Sequence, residues 1–215
     1  MENSKEQAKK RSTAAEQACK KVVELYNSGN NCDKAVLLAM QELLHIPPDH
    51  WDFSRFYSDK PEDSDRFLCK VVVAGAVAIY LDVLSNGGID GAPAQPTEKT
   101  SSDRVVQIFN RFIIDCSGDE GEDPVSFDPF AHDPRLEGIE ISDRLRKEYT
   151  TRVTALFRGF RAEFPGSNCV DILGFDPFAY ADYDEEIQEE IEKGEWMQKC
   201  IECMQHVISS VKTGK

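Results

Sequence analysis

Val71-Val72-Val73-Ala74-Gly75-Ala76-Val77-Ala78-Ile79-Tyr80-Leu81-Asp82-Val83-Leu84 is the longest apolar run in this 215-residue chain, and its reading decides the fold. Three consecutive β-branched valines favour a strand. The run then continues through Ala74-Gly75-Ala76-Val77-Ala78, past ordinary strand length. It therefore reads as a helix, with Ser64 as its cap, passing through Cys69 and ending near Leu84 before Asn86-Gly87-Gly88. Its small residues would let another helix approach closely. It holds Asp82 and is shorter than the roughly 18 residues of a membrane span.

Outward from this run the periodicity stays helical. Ala14, Ala15, Ala18, Val22, Val23, Leu25 and Tyr26 form a stripe over 5–27, closed by Ser28-Gly29-Asn30. Cys32, Ala35, Val36, Ala39 and Leu43 form another over 32–44, stopped by Pro47-Pro48. Further helices are expected over 102–114, from a Ser142 cap to Glu163, and over 196–211. The chain reads as all-α, a single compact helical bundle domain spanning 1–215, with a loop-rich insertion at about 86–140. The segment 49–63, with Trp51, Phe53, Phe56 and Tyr57, reads as a loop whose aromatics pack on the core. Two acidic runs read as solvated connectors. Residues 115–143 carry ten acids against Arg135, and 182–195 carry eight acids against Lys193.

The bulk numbers restrict function. A net charge of −14 argues against nucleic acid, whose phosphates call for Lys and Arg, and against an anionic membrane surface. The polar N-terminus lacks the apolar core of an export signal, so the expected compartment is the cytoplasm, where thiols stay reduced unless metal-bound. No phosphate-binding glycine loop, dinucleotide fingerprint or Gly-x-Ser-x-Gly elbow occurs. The acidic segment Asp119-Glu120-Gly121-Glu122-Asp123 lacks EF-hand spacing.

The chemistry of the chain lies in its cysteines. Five of seven, Cys32, Cys69, Cys169, Cys200 and Cys203, fall near helix starts or on helix faces where they could meet at one metal or redox site. Cys32 and Cys169 follow Asn31 and Asn168 at helix starts, where unpaired N–H groups favour a thiolate. Cys200 and Cys203 stand three residues apart on one helix face and could share a metal or relay a disulfide. The competing reading for each is an inert core thiol, since free cysteine is among the most buried residue types. Cys19 and Cys116 read as core or surface thiols. His206 extends the string to Cys-x-x-Cys-x-x-His, but residues six apart diverge on a straight helix.

Asn31-Cys32-Asp33-Lys34-Ala35-Val36, Phe164-Pro165-Gly166-Ser167-Asn168-Cys169-Val170-Asp171-Ile172-Leu173-Gly174 and Lys199-Cys200 carry a resemblance to a known family. In order and spacing these segments resemble the bacterial C_GCAxxG_C_C family of redox-active proteins. Cys69 stands for the family's second cysteine more loosely, with Leu68 in place of the leading glycine and Gly75 further on than the pattern asks. The resemblance covers roughly residues 15–210. It implies a compact helical domain and a redox or metal role with no defined reaction. The ligands would be Cys32, Cys69, Cys169 and Cys200, with Cys203 in reserve, holding an iron–sulfur cluster or zinc or cycling as dithiol and disulfide, with a protein redox partner.

Two rival readings stand beside it. The pentapeptide Phe-Asp-Pro-Phe-Ala occurs at 127–131 and 175–179. With the acidic loops it could make a non-enzymatic binding module for a basic partner protein. The preferred reading of the repeat itself is a helix-start turn, with Asp as cap, Pro first in the helix and Phe as anchor. The other rival is a thiol enzyme with one low-pKa cysteine, for which no histidine is placed as the base.

Overall fold

The computed structural model describes residues 2–45, 69–86, 128–132, 136–166, 168–177, 179 and 183–211, the side chains of 2–13 and 132 excepted. Among the described residues there are eight helices and no strand, so the fold is all-α. The helices are α1 (Glu2–Asn27), α2 (Cys32–Leu44), α3 (Lys70–Asn86), α4 (Pro129–His132), α5 (Asp143–Glu163), α6 (Cys169–Leu173), α7 (Glu185–Lys193) and α8 (Trp196–Ser210).

The valine-rich run is the centre of the molecule. Every residue of α3 from Val71 to Val83 is buried, as expected of a helix apolar on all sides. α2, α5 and α8 pack against it, and α1 packs on α2 and α8. Gly75 marks the closest approach: a Cβ there would lie 2.6 Å from Val207 Cγ1 and 2.9 Å from Leu156 Cδ2. The small-residue stretch thus brings α3 against α5 and α8 at once. Cys69 stands just before α3, and the expected Ser64 cap and the expected helix at 102–114 lie outside the described residues. So do Trp51, Phe53, Phe56, Tyr57 and Cys116.

Local chemistry sets the helix ends. Gly29, at φ +93°, breaks α1, whose Leu25 carbonyl accepts from Ser28 Oγ at 2.7 Å and Asn30 Nδ2 at 2.9 Å. α2 closes at His45 in the left-handed region, φ 55°, its N–H turned back to the carbonyls of Gln41 and Glu42. Ser142 does precede α5, but its side chain makes no capping bond; its carbonyl receives the N–H groups of Leu145 and Arg146 instead.

Asp82 is the one acid inside the α3 core run. It accepts from Arg152 Nη1 of α5 at 2.6 Å and from Asn86 Nδ2 at 2.6 Å. Beside it Tyr80, Phe130 and Tyr149 form a ring triad with centroids 5.1 to 6.1 Å apart. Edge-on aromatic pairs of this kind add about 0.5–1.5 kcal/mol each beyond their burial.

Phe130 belongs to the first Phe-Asp-Pro-Phe-Ala copy, which behaves as the turn reading expects. Asp128 Oδ1 caps the Phe130 N–H at 3.1 Å, Pro129 opens α4, and Phe130 is buried. Arg146 pairs with Asp128 from α5. The second copy repeats the backbone turn: Ala179 N–H donates to the Asp176 carbonyl at 3.2 Å, as Ala131 does to Asp128 at 3.2 Å. Phe175 meets the edge of Trp196 at 6.3 Å. Within the second acidic run, 185–193 is helical rather than a connector. No described helix is long and apolar enough to cross a membrane.

Candidate thiol site

Five thiols and one phenol meet at one end of the bundle. Cys32 is the first residue of α2, and Cys169 is the first of α6. α6 starts there because Asn168 Oδ1 caps it, accepting from the Asp171 N–H at 2.8 Å. Cys69 precedes α3, and its carbonyl receives the Val72 N–H at 3.0 Å. Cys200 and Cys203 sit on successive turns of α8. The Cys69 thiol is within hydrogen-bonding reach of both Cys169 and Cys203. Cys32 lies close enough to Cys200 and Cys169 to feel their charge, and Cys200 in turn feels Cys169. Cys69 and Cys203 are buried; Cys32, Cys169 and Cys200 are partly buried.

Tyr26, in the last turn of α1, completes the group. Its hydroxyl hydrogen-bonds Cys200, and it feels the charge of Cys32 and Cys169. Sequence reasoning placed Tyr26 in an apolar stripe and missed this role. The available signal was a residue with an apolar body and polar tip, one short turn ahead of Cys32.

Electrostatics overturn one expectation. Cys32 and Cys169 do begin helices, yet neither thiol is acidified. Burial, then the charges of Asp33, Cys200 and Cys169, push the Cys32 thiol well up. Contact with Cys69, then burial, pushes Cys169 up. At Cys69, contact with Cys169 acts downward, but contact with Cys203, burial and the charges of Cys32 and Cys203 leave the thiol well above its ordinary value. Cys200 rises least, from 9.0 to about 11, through burial and the charge of Cys169, opposed by the Tyr26 hydroxyl. Burial and the charges of Cys200 and Cys32 likewise raise the Tyr26 phenol. A thiolate in a poorly solvated site among other sulfurs costs more than a helix start returns. Cys32 and Cys169 therefore give the low-pKa thiol reading no support.

The donor set suits a soft metal in kind, since thiolates hold zinc and iron–sulfur clusters. The arrangement does not fit one as it stands. Among the described residues no three His, Cys, Asp or Glu side chains are grouped to hold an ion.

The other candidates lie apart. Cys19 Sγ faces the Gln205 carbonyl at 3.7 Å and Ser209 Oγ at 3.6 Å, at the contact of α1 with α8. His206 packs against the edges of Phe160 and Phe164, with centroids 6.1 and 5.5 Å away. Its Nε2 is buried and meets no hydrogen-bond partner among the described residues.

No family model, curated protein or solved structure matches the chain.

Proposed function

We propose that this chain is a thiol redox protein whose working group is the cluster Cys32, Cys69, Cys169, Cys200 and Cys203. The observation that carries the reading is the Cys69 thiol, within reach of Cys169 on one side and Cys203 on the other. In the proposed step Cys69 and Cys169 each lose a proton and an electron, and one S–S bond forms. The oxidant is the disulfide of a partner, whose S–S bond breaks to give two thiols, so electrons and protons balance. Because Cys32, Cys69, Cys169 and Cys200 are held above their ordinary range, in the reduced protein they are thiols rather than thiolates at neutral pH. Exchange should accelerate as pH rises toward the Cys200 value of about 11.

A second reading keeps the same residues and adds a metal. Its support is the mutual repulsion of five potential thiolates, which a soft cation would relieve. It requires the sulfurs to regroup. Thiol counting before and after mild disulfide treatment, with metal and acid-labile sulfide assayed on anaerobically purified protein, separates the two. Loss of two thiols without metal supports the redox reading, with Cys69→Ser and Cys169→Ser each abolishing the loss. Stoichiometric iron and sulfide, or zinc, replaces it with the metal centre. A constant thiol count without metal sinks both.

A further inference from the structure

Helix α7 is out of keeping with the rest of the bundle. None of its nine residues is buried, although Ile187 and Ile191 stand one turn apart in its sequence. Isolated helices shorter than about 12–15 residues are marginal in water, and most helices owe their stability to a packed apolar face. Ile187 is 43 % exposed. Among the described residues, the other large apolar side chains left open are Val170, 37 % exposed, and Met197, 46 % exposed. Val170 follows Cys169, and Met197 stands one turn ahead of Cys200. Those described open apolar groups therefore lie on α7 and beside two partly buried thiols.

The surrounding charge narrows the occupant. α7 carries Glu185, Glu186, Glu189, Glu190 and Glu192 against Lys193, with Asp184 before it and Glu195 after it. A second copy would bring the same acids face to face on a chain of net charge −14. An anionic bilayer would be repelled in the same way. A segment with an apolar stripe flanked by lysine or arginine meets both features at once: its stripe covers Ile187 and Met197, and its cations face the acids.

We propose that α7, with the N-terminal turn of α8 and Val170, is the docking surface for a basic amphipathic helix of a partner protein. The inference rests on the redox reading only in making that partner the one that exchanges electrons with the thiols. Binding is measured apart from thiol oxidation by a small disulfide, so either can fail while the other stands.

The test uses the full chain and a fluorescent Lys/Leu amphipathic helical peptide, with a scrambled peptide of equal composition as control. Affinity is read by anisotropy at low and raised salt. The amphipathic peptide should bind about tenfold or more tighter than the scrambled one. Ile187→Ser and Met197→Ser should each weaken it several-fold, and Glu186→Lys with Glu190→Lys should flatten the salt dependence. The same reversal at Glu137 and Glu140, before α5, should change nothing. Equal binding of both peptides, insensitivity to the α7 substitutions, or equal sensitivity at Glu137 and Glu140 would overturn the proposal. So would self-association lost in Ile187→Ser, which would make a second copy the occupant, or binding to anionic vesicles.

Discussion

Replacing Gly75 by alanine tests the packing that brings the thiol-bearing helices together. The new Cβ would stand 2.6 Å from Val207 Cγ1 and 2.9 Å from Leu156 Cδ2. Both neighbours are fully buried, and Val207 has no flexible end to swing away. Overpacking of this kind costs about 1–3 kcal/mol, and two simultaneous overlaps favour the upper half. Alanine returns about 1 kcal/mol through helix propensity, so the net loss is about 1–2 kcal/mol. For a chain of this size that lowers Tm by roughly 2–8 °C. Differential scanning calorimetry or urea unfolding reads it. Val207→Ala in the same chain opens space for the new methyl. The double variant should therefore lose less than the two single losses combined, a coupling that distant sites do not show. A Gly75→Ala protein as stable as the parent, or strict additivity with Val207→Ala, would refute the close approach of α3 to α8.

Tyr26→Phe removes the hydroxyl that opposes the rise at Cys200, so the Cys200 alkylation midpoint should move above about 11; mass-spectrometric labelling across pH reads it, and an unchanged midpoint removes Tyr26 from the site. The alkaline limb of stability should be steep. Folded Cys200 keeps a proton that the unfolded chain releases near 9.0, so its contribution to stability is full below that pH. For Cys200 it is lost as pH rises to about 11. Unfolding midpoints between pH 8 and 11 should fall less in Cys200→Ala, and an equal fall in both proteins counts against the shift. Arg152→Ala strands Asp82 in the core and should cost about 3–5 kcal/mol in denaturant unfolding, while Asp82→Leu with Arg152→Met should recover most of it. A loss under about 1 kcal/mol would mean the pair is solvated.

The helices were legible where pattern and punctuation agreed. α2 runs from Cys32 to Leu44 as its apolar spacing and flanking Asn and Pro residues suggest, and α5 ends at Glu163 as expected. The valine-rich run resolved correctly because length outweighed β-branching. α7 was illegible as a helix because composition dominated: eight acids in 182–195 conceal the pair Ile187 and Ile191. The positions of Cys32 and Cys169 at helix starts, and of Cys200 and Cys203 on α8, were readable from sequence, whereas Cys69, expected inside a helix, stands just before α3. The state of the thiols was not. A helix start can be inferred from Asn168-Cys169, but the burial and neighbouring sulfurs that reverse its effect belong to tertiary structure. Tyr26 was hidden for the same reason, since its partner Cys200 lies at the far end of the chain.

Cys69 and Cys169 meet in space yet stand about 100 residues apart in sequence, and a crosslink closing such a loop withdraws about 4.7 kcal/mol of freedom from the unfolded chain. In the proposed cycle, folding and oxidation then draw on the same free energy. The folded chain would hold its disulfide about 100 mV more firmly than the unfolded chain could. A reductant of intermediate potential would open the bond in a nascent or damaged molecule and leave it closed in an intact one. Redox state would thereby report whether the bundle is assembled.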